Sequence, residues 1–326
     1  MDPFKGMTDP ELVKLCKPHF DSFVIRLDWS AEIYSFGKCF RDIYHFPKVL
    51  PLAFTTDHGV GMETTLFPHE SNRRPGLHMT WNKAKFLRYQ NQSKTKMAYV
   101  MHPWIAYRRK YNIQRKENHK GTLVYFTHHV PGIEWKNHDS DAYFERLKSL
   151  PEKFHPIVFC VHMHDINANN HQKIRSHGFS IVTAGNSSSN DFVDRFYEII
   201  SNFSYATSQS WGSQTAYCVE MGVPYFFLGD RPILINYTYE DFKKGEVGFL
   251  DDFHEKNEQK ADAIFSTQVD EVTFEQRQFV EDFIGNDSPL SHFEVTCLIW
   301  KQFFKNVDVA ILDVLKRVKN KIGVLV

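Results

Sequence analysis

The stretch Ser208 to Gly229, SQSWGSQTAYCVEMGVPYFFLG, decides the fold. It opens on small hydroxyl residues around Gly212, runs on as a helix from Ser213 to Met221, stops at Gly222-Val223-Pro224 and resumes as an aromatic strand, Tyr225 to Leu228. Loop, helix, glycine stop and buried strand in that order make half of a βαβ unit. Working backwards, the same alternation repeats. Strands are expected at Thr122 to Thr127, Ile157 to His162, Ser180 to Thr183 and Tyr205 to Thr207. Helices are expected at Asp141 to Leu150, Asn169 to His177 and Asp191 to Ser201. Short strands alternating with helices of about ten residues predict a doubly wound parallel sheet covered on both faces.

Outside that region the pattern loosens. Ser291 to Lys319 carries apolar residues at helical spacing and reads as a long amphipathic helix broken near Asn306. The first half offers helices at Pro10 to Pro18 and Ala31 to Tyr44, with an apolar stretch from Phe20 to Leu27 between them. A buried strand from Val49 to Thr55 is stopped by Thr56-Asp57-His58-Gly59-Val60-Gly61, and further strands follow at Leu77 to Trp81 and Met97 to Met101. Arg108 to Lys120 lacks apolar periodicity and reads as an exposed connector. The division is therefore an α/β unit at 1–119 and a second at 120–326.

Composition narrows the function. The 326 residues include 39 Lys+Arg and 39 Asp+Glu, so no global field gathers nucleic acid, which is excluded as a partner. With 42% apolar residues and 29 Phe the chain can bury a large core. The five cysteines are scattered without a CxxC, which suits a reducing compartment, and no apolar run approaches the roughly 18 residues of a membrane span. A cytoplasmic chain is expected.

In open parallel sheets, ligands bind beyond the carboxyl ends of the strands. The loops there are Thr127 to Gly132, His162 to Asp165, Ala184 to Asn190 and Ser208 to Gln214, rich in small, amide and imidazole groups and suited to an anion. Ser208, Ser210, Gly212, Ser213 and Gln214 precede a helix whose first N–H groups are unpaired. His128, His129, Gly185 and Asn186 are further donor-site candidates, and Glu220, two turns along, is a candidate for a ribose.

Ser208 to Gly229, following Thr183-Ala184-Gly185, resembles the nucleotide-binding half of GT-B glycosyltransferases. The resemblance implies two Rossmann-like domains facing a central cleft, with long C-terminal helices crossing back to the first. Asp57-His58-Gly59 and the pairs His102-Pro103, His155-Pro156 and His128-His129-Val130-Pro131 are weakly similar to motifs of bacterial CMP-sugar transferases of the sialyl and Kdo type. The implied activity is metal-independent transfer of a sugar from a nucleotide-sugar donor to a hydroxyl of a surface polysaccharide or glycolipid. Asp57 would be the base, with His58 and Glu63 as alternatives. No cofactor is implied. Trp104, Ile105, Tyr107, Arg108, Arg109 and Lys110 combine aromatic and basic groups that suit a lipid-linked acceptor or the inner face of a membrane. Two other readings stay open: a metal-dependent hydrolase using His162, His164 and Asp165, and a non-catalytic nucleotide-sugar-binding subunit.

Overall fold

The computed structural model of the chain describes residues 2–18, 27–67, 70, 76–91, 95–127, 132–136, 139–237 and 244–312. It is a mixed α/β protein with two parallel sheets, the class expected. In the first half, β1 (Thr55–Thr56), β2 (Leu77–Thr80) and β3 (Lys96–Tyr99) pair in sequence order, with Thr55 opposite His78 and Leu77 opposite Lys96. The crossover from β2 to β3 is the helix Lys83–Tyr89, capped by the Asn82 side chain, which accepts from Lys85 N at 3.1 Å.

The second half holds β4 (Thr122–Tyr125), β6 (Ile157–Cys160), β7 (Ser180–Val182), β8 (Tyr205–Ser208) and β9 (Tyr225–Phe227), all parallel in the order β7-β6-β4-β8-β9. Strands buried on both faces explain runs such as Ile157-Val158-Phe159, with no polar alternation. A small antiparallel sheet joins β5 (Ile133–Lys136), β10 (Ile233–Asn236) and β11 (Gly245–Glu246), with Ile233 opposite Lys136.

The two halves share one core, because elements from each cross into the other. The helix Asp9–Cys16 lies on the second half: Met7 N donates to Ile181 O at 2.7 Å. The helix His292–Lys305 packs on the first, where His292 meets Ile43 O and Trp300 meets Phe46. Its break falls at Asn306, as the spacing predicts.

The helix Pro103–Lys110 lies between the halves, and here the sequence reading needs correction. Trp104, Ile105 and Tyr107, expected to meet a lipid-linked acceptor or a membrane, are buried, and of the expected connector Arg108 to Lys120 only Arg108 is buried, the rest being exposed or half-buried. Trp104 packs among Phe196, Tyr197 and Tyr217, and its Nε1 donates to Tyr34 O at 2.7 Å. Arg108 and Arg109 both bind Glu220. A membrane has no access to those rings. The expected helix from Ala31 to Tyr44 is also interrupted. Tyr34 and Ser35 both adopt left-handed backbone (φ 53° and 61°), and regular helix resumes only over Phe36–Tyr44. The loop after β7 holds that turn: Tyr34 N donates to Ser187 O, and the Ser35 hydroxyl to Ser189 O.

Candidate active site

Chain direction locates the crevice. From β4 the strands run outward to β6 and β7, then cross back to β8 on the other side of β4. The switch point, where ligands of such sheets bind, therefore lies between the carboxyl ends of β4 and β8. The loop from Ser208 to Gly212 leaves β8 there and leads into the helix Ser213–Glu220. His128 and His129, on the loop leaving β4, lie outside the described residues.

Around this point the chain collects buried polar atoms that it does not satisfy. Gln209 Oε1 and Tyr143 Oη are each buried and make no hydrogen bond among the described residues, while the buried Thr215 and Tyr225 hydroxyls face each other. The Tyr225 hydroxyl sits among Ser208, Gln214 and Thr215, and burial raises its pKa, which keeps the phenol protonated. Tyr143, Gln209, Gly229, Arg146, Asp139 and Arg231 line a shallow depression beside it. Buried polar atoms without a partner cost about 1–3 kcal/mol each, so Gln209 Oε1 and Tyr143 Oη beside these hydroxyls mark a place suited to water or a polar ligand.

The first half reaches the same place through the loop after β1. Val60 N donates to Ser213 Oγ at 2.8 Å and Trp211 Nε1 donates to Val60 O at 3.0 Å. Gly59, at φ +87°, passes so close that a Cβ on it would stand 2.3 Å from Ser213 Oγ. Two loops that the sequence marks separately, 57–63 and 208–214, thus touch.

Asp57 itself does not face that contact. Its carboxylate accepts from Lys85 Nζ at 2.9 Å, Thr80 Oγ1 at 2.5 Å and Trp81 N at 3.4 Å, and lies 3.0 Å from His78 Nε2, all buried. Lys85 also bridges to Glu70 at 3.1 Å. Burial alone would raise the Asp57 pKa, but the Lys85 ammonium and His78 override it and hold the carboxyl well below its usual range. A carboxylate so stabilised accepts a proton poorly, which corrects the expectation that Asp57 is the base. The ligand atoms of Asp57, Glu70 and His78 lie close enough together to hold a metal ion, but the Lys85 ammonium is already bonded to both acids. His58, one residue on, is exposed, with its ring 5.3 Å from Trp29 and 5.4 Å from Tyr34. Glu63 is half-buried beside Gly61, and burial pushes its carboxyl up, against the opposing pull of Lys85.

Other expected site residues are committed elsewhere. Both Glu220 carboxylate oxygens are engaged by Arg108, at 2.5 and 2.7 Å, and Arg109 adds a third contact at 3.0 Å, which leaves nothing for a ribose. Asn186 N donates to Leu15 O, and its Nδ2 to Cys16 O. Gly185, at φ +91°, passes within contact of Leu15 O. That pair seats the first helix and does not face the crevice. Gly212 makes room for the Gln214 amide, which a Cβ would meet at 2.4 Å. His162 caps a short helix by accepting from His164 N at 3.3 Å, and Asp165 is buried with Asn170 donating to it. Among the described residues, His162, His164 and Asp165 do not bring three ligand atoms together. His102 caps the helix Pro103–Lys110 and contacts Tyr217, and burial pushes its pKa down to about 3. Reading the sequence missed Lys85, Thr215 and Tyr225. A lysine amid apolar residues in KAKFLRY was the only available signal for the first, and nothing marked the hydroxyls.

No protein-family model matches the chain, and no curated protein matches its sequence. Solved structures do resemble it. The wall teichoic acid polymerase TagF is 12% identical over 78% of this chain and 69% of its own, with a TM-score of 0.38. UDP-GlcNAc 2-epimerase from Neisseria meningitidis, bound to UDP-GlcNAc, is 14% identical over 87% and 76%, with a TM-score of 0.39. The pneumococcal O-GlcNAc transferase GtfA, in complex with UDP and GlcNAc, is 11% identical over 86% of this chain but only 56% of its own, with a TM-score of 0.38.

Proposed function

We propose that the chain is a GT-B-type glycosyltransferase. Residues 120–326 bind a nucleotide-sugar donor at the switch point, residues 1–119 present the acceptor hydroxyl, and transfer proceeds without a bound metal. A CMP-sugar donor and a surface glycan or glycolipid acceptor are the finer form of this reading. One observation supports it above the rest: buried polar atoms, Gln209 Oε1, Tyr143 Oη and the hydroxyls of Thr215 and Tyr225, gather next to a helix start and against the loop 57–63 of the other half. Ser210, Ser213 and the first N–H groups of the helix Ser213–Glu220 would carry phosphate. Thr215, Tyr225 and Gln209 would hydrogen-bond the rest of the donor. His58, the exposed imidazole on the neighbouring loop, would take the acceptor proton.

A thermal-shift series with CMP, UDP, GDP and dTDP tests it. One nucleotide at 100 times its Kd should stabilise the chain by about 2.7 kcal/mol. Thr215→Val and Tyr225→Phe should each weaken that nucleotide at a cost of about 1 kcal/mol or less to the fold. His58→Ala should lower turnover by roughly 10² to 10⁴ while the nucleotide Kd holds. If no nucleotide stabilises the chain, the reading fails.

A further inference from the structure

Beside the crevice, the depression lined by Tyr143 and Gln209 has chemistry of its own. It measures about 70 Å³, room for a few hydroxyl-sized groups. Both side chains are more than nine-tenths buried, Gln209 at 4% exposure and Tyr143 at 3%, and each keeps an atom that makes no hydrogen bond among the described residues. The Gln209 amide is not free to turn: its Nε2 donates to Asp230 O at 2.7 Å, so the unpaired Oε1 can only accept. Burial raises the Tyr143 pKa, and the phenol keeps a hydrogen to donate. Gly229 brings the two together. At φ +84° it passes so close that a Cβ there would stand 2.6 Å from Tyr143 Cδ2 and 3.8 Å from Gln209 Cγ.

These groups define what can occupy the place. A phosphate or carboxylate oxygen has no hydrogen to give to Gln209 Oε1. The rim offers an anion little either, since Arg231 is paired with Glu258 and Asp262, at 2.5 and 2.7 Å, and Arg146 lies 3.7 Å from Asp230 Oδ1. A nucleobase needs apolar walls for the two faces of its ring, and this depression is open and bounded mostly by charged side chains. A sugar hydroxyl meets both requirements, because it donates one hydrogen and accepts another. Gln209 stands four positions before Ser213 on the loop that would carry the phosphates, so only a short reach separates a group here from a nucleotide there. We propose, resting on the donor site proposed above, that Gln209 and Tyr143 hold a hydroxyl of the sugar to be transferred and so select the sugar rather than the nucleotide. A site built in this way rejects a sugar that lacks the hydroxyl, since its own buried atoms are then left unpaired.

The test is isothermal titration of the full chain with paired ligands: CMP and CMP-N-acetylneuraminic acid, UDP and UDP-GlcNAc, GDP and GDP-mannose, dTDP and dTDP-glucose. For the nucleotide that binds, Tyr143→Phe and Gln209→Leu should each weaken the sugar conjugate by roughly three- to tenfold and leave the bare nucleotide within about twofold. Tyr143→Phe removes one unpaired hydroxyl and keeps the packed ring, so its melting temperature should hold. Mere distortion of the loop would weaken both members of a pair alike, because the same loop would carry the phosphates. Equal weakening of nucleotide and conjugate, or no change in any conjugate, would overturn the proposal while the donor site stands. Binding of no nucleotide by the unmodified chain would instead remove the donor site, and this proposal with it.

Discussion

At the scale of single residues, Lys85 is the first to test. It is buried and bridges Asp57 and Glu70. Lys85→Met should cost about 3–5 kcal/mol in denaturant unfolding, because it strands two buried carboxylates. Adding Asp57→Asn and Glu70→Gln to it should recover much of the loss. The same pair gives a pH dependence of known sign. Asp57 titrates below its ordinary value in the native state, so its contribution is present above about pH 4 and is lost as the pH falls towards the native pKa. The denaturation midpoint should therefore fall as the pH drops below about 4, and more shallowly in Asp57→Asn. Gly59→Ala adds a Cβ at positive φ and 2.3 Å from the Ser213 hydroxyl, so a loss of about 1–3 kcal/mol is expected. Ser213→Ala in the same chain should restore the steric part and leave the backbone part, as a double-mutant cycle would show.

At the scale of elements, the helix Ser213–Glu220 is fixed at both ends by the other half: at its start by Val60 on Ser213, and at its end by Arg108 and Arg109 on Glu220. Glu220→Ala should lower stability by about 3 kcal/mol, since Arg108 loses its buried partner. Its effect on nucleotide affinity should be small, unlike that of Thr215→Val. Were Glu220 a ribose ligand, isothermal titration would show the reverse. The elements that were legible in sequence share a reason. The strands β4 to β9, apart from β5, are buried on both faces and separated by glycine stops, so composition alone betrays them. Where the structure departs from the sequence reading, the cause is a distant partner. Arg108 and Arg109 looked solvated because Glu220 stands more than a hundred positions away. Lys83–Tyr89 was missed as a helix because Lys85 occupies an inward position that would ordinarily be apolar. β5 was unread because its partner, β10, comes a hundred residues later. Of the site, the loops were legible by their glycines and hydroxyls. The saturation of Asp57 was not, since His78, Thr80 and Lys85 gather around it only in three dimensions.

At the scale of the molecule, the crossing of the first helix and the last helix between halves joins them into one core centred on Trp104. Calorimetry should show a single unfolding transition for the intact chain. Trp104→Ala removes a ring that touches both halves and should cost about 3–5 kcal/mol, with the transition broadening or dividing in two.

Lys85 has one more consequence. Its ammonium carries a counter-charge to Asp57 and Glu70 on a four-carbon tether, at a fixed stoichiometry of one. The shape of the loop after β1 thus depends on the chemical integrity of one amine, and burial shields that amine from acylating reagents for as long as the chain stays folded.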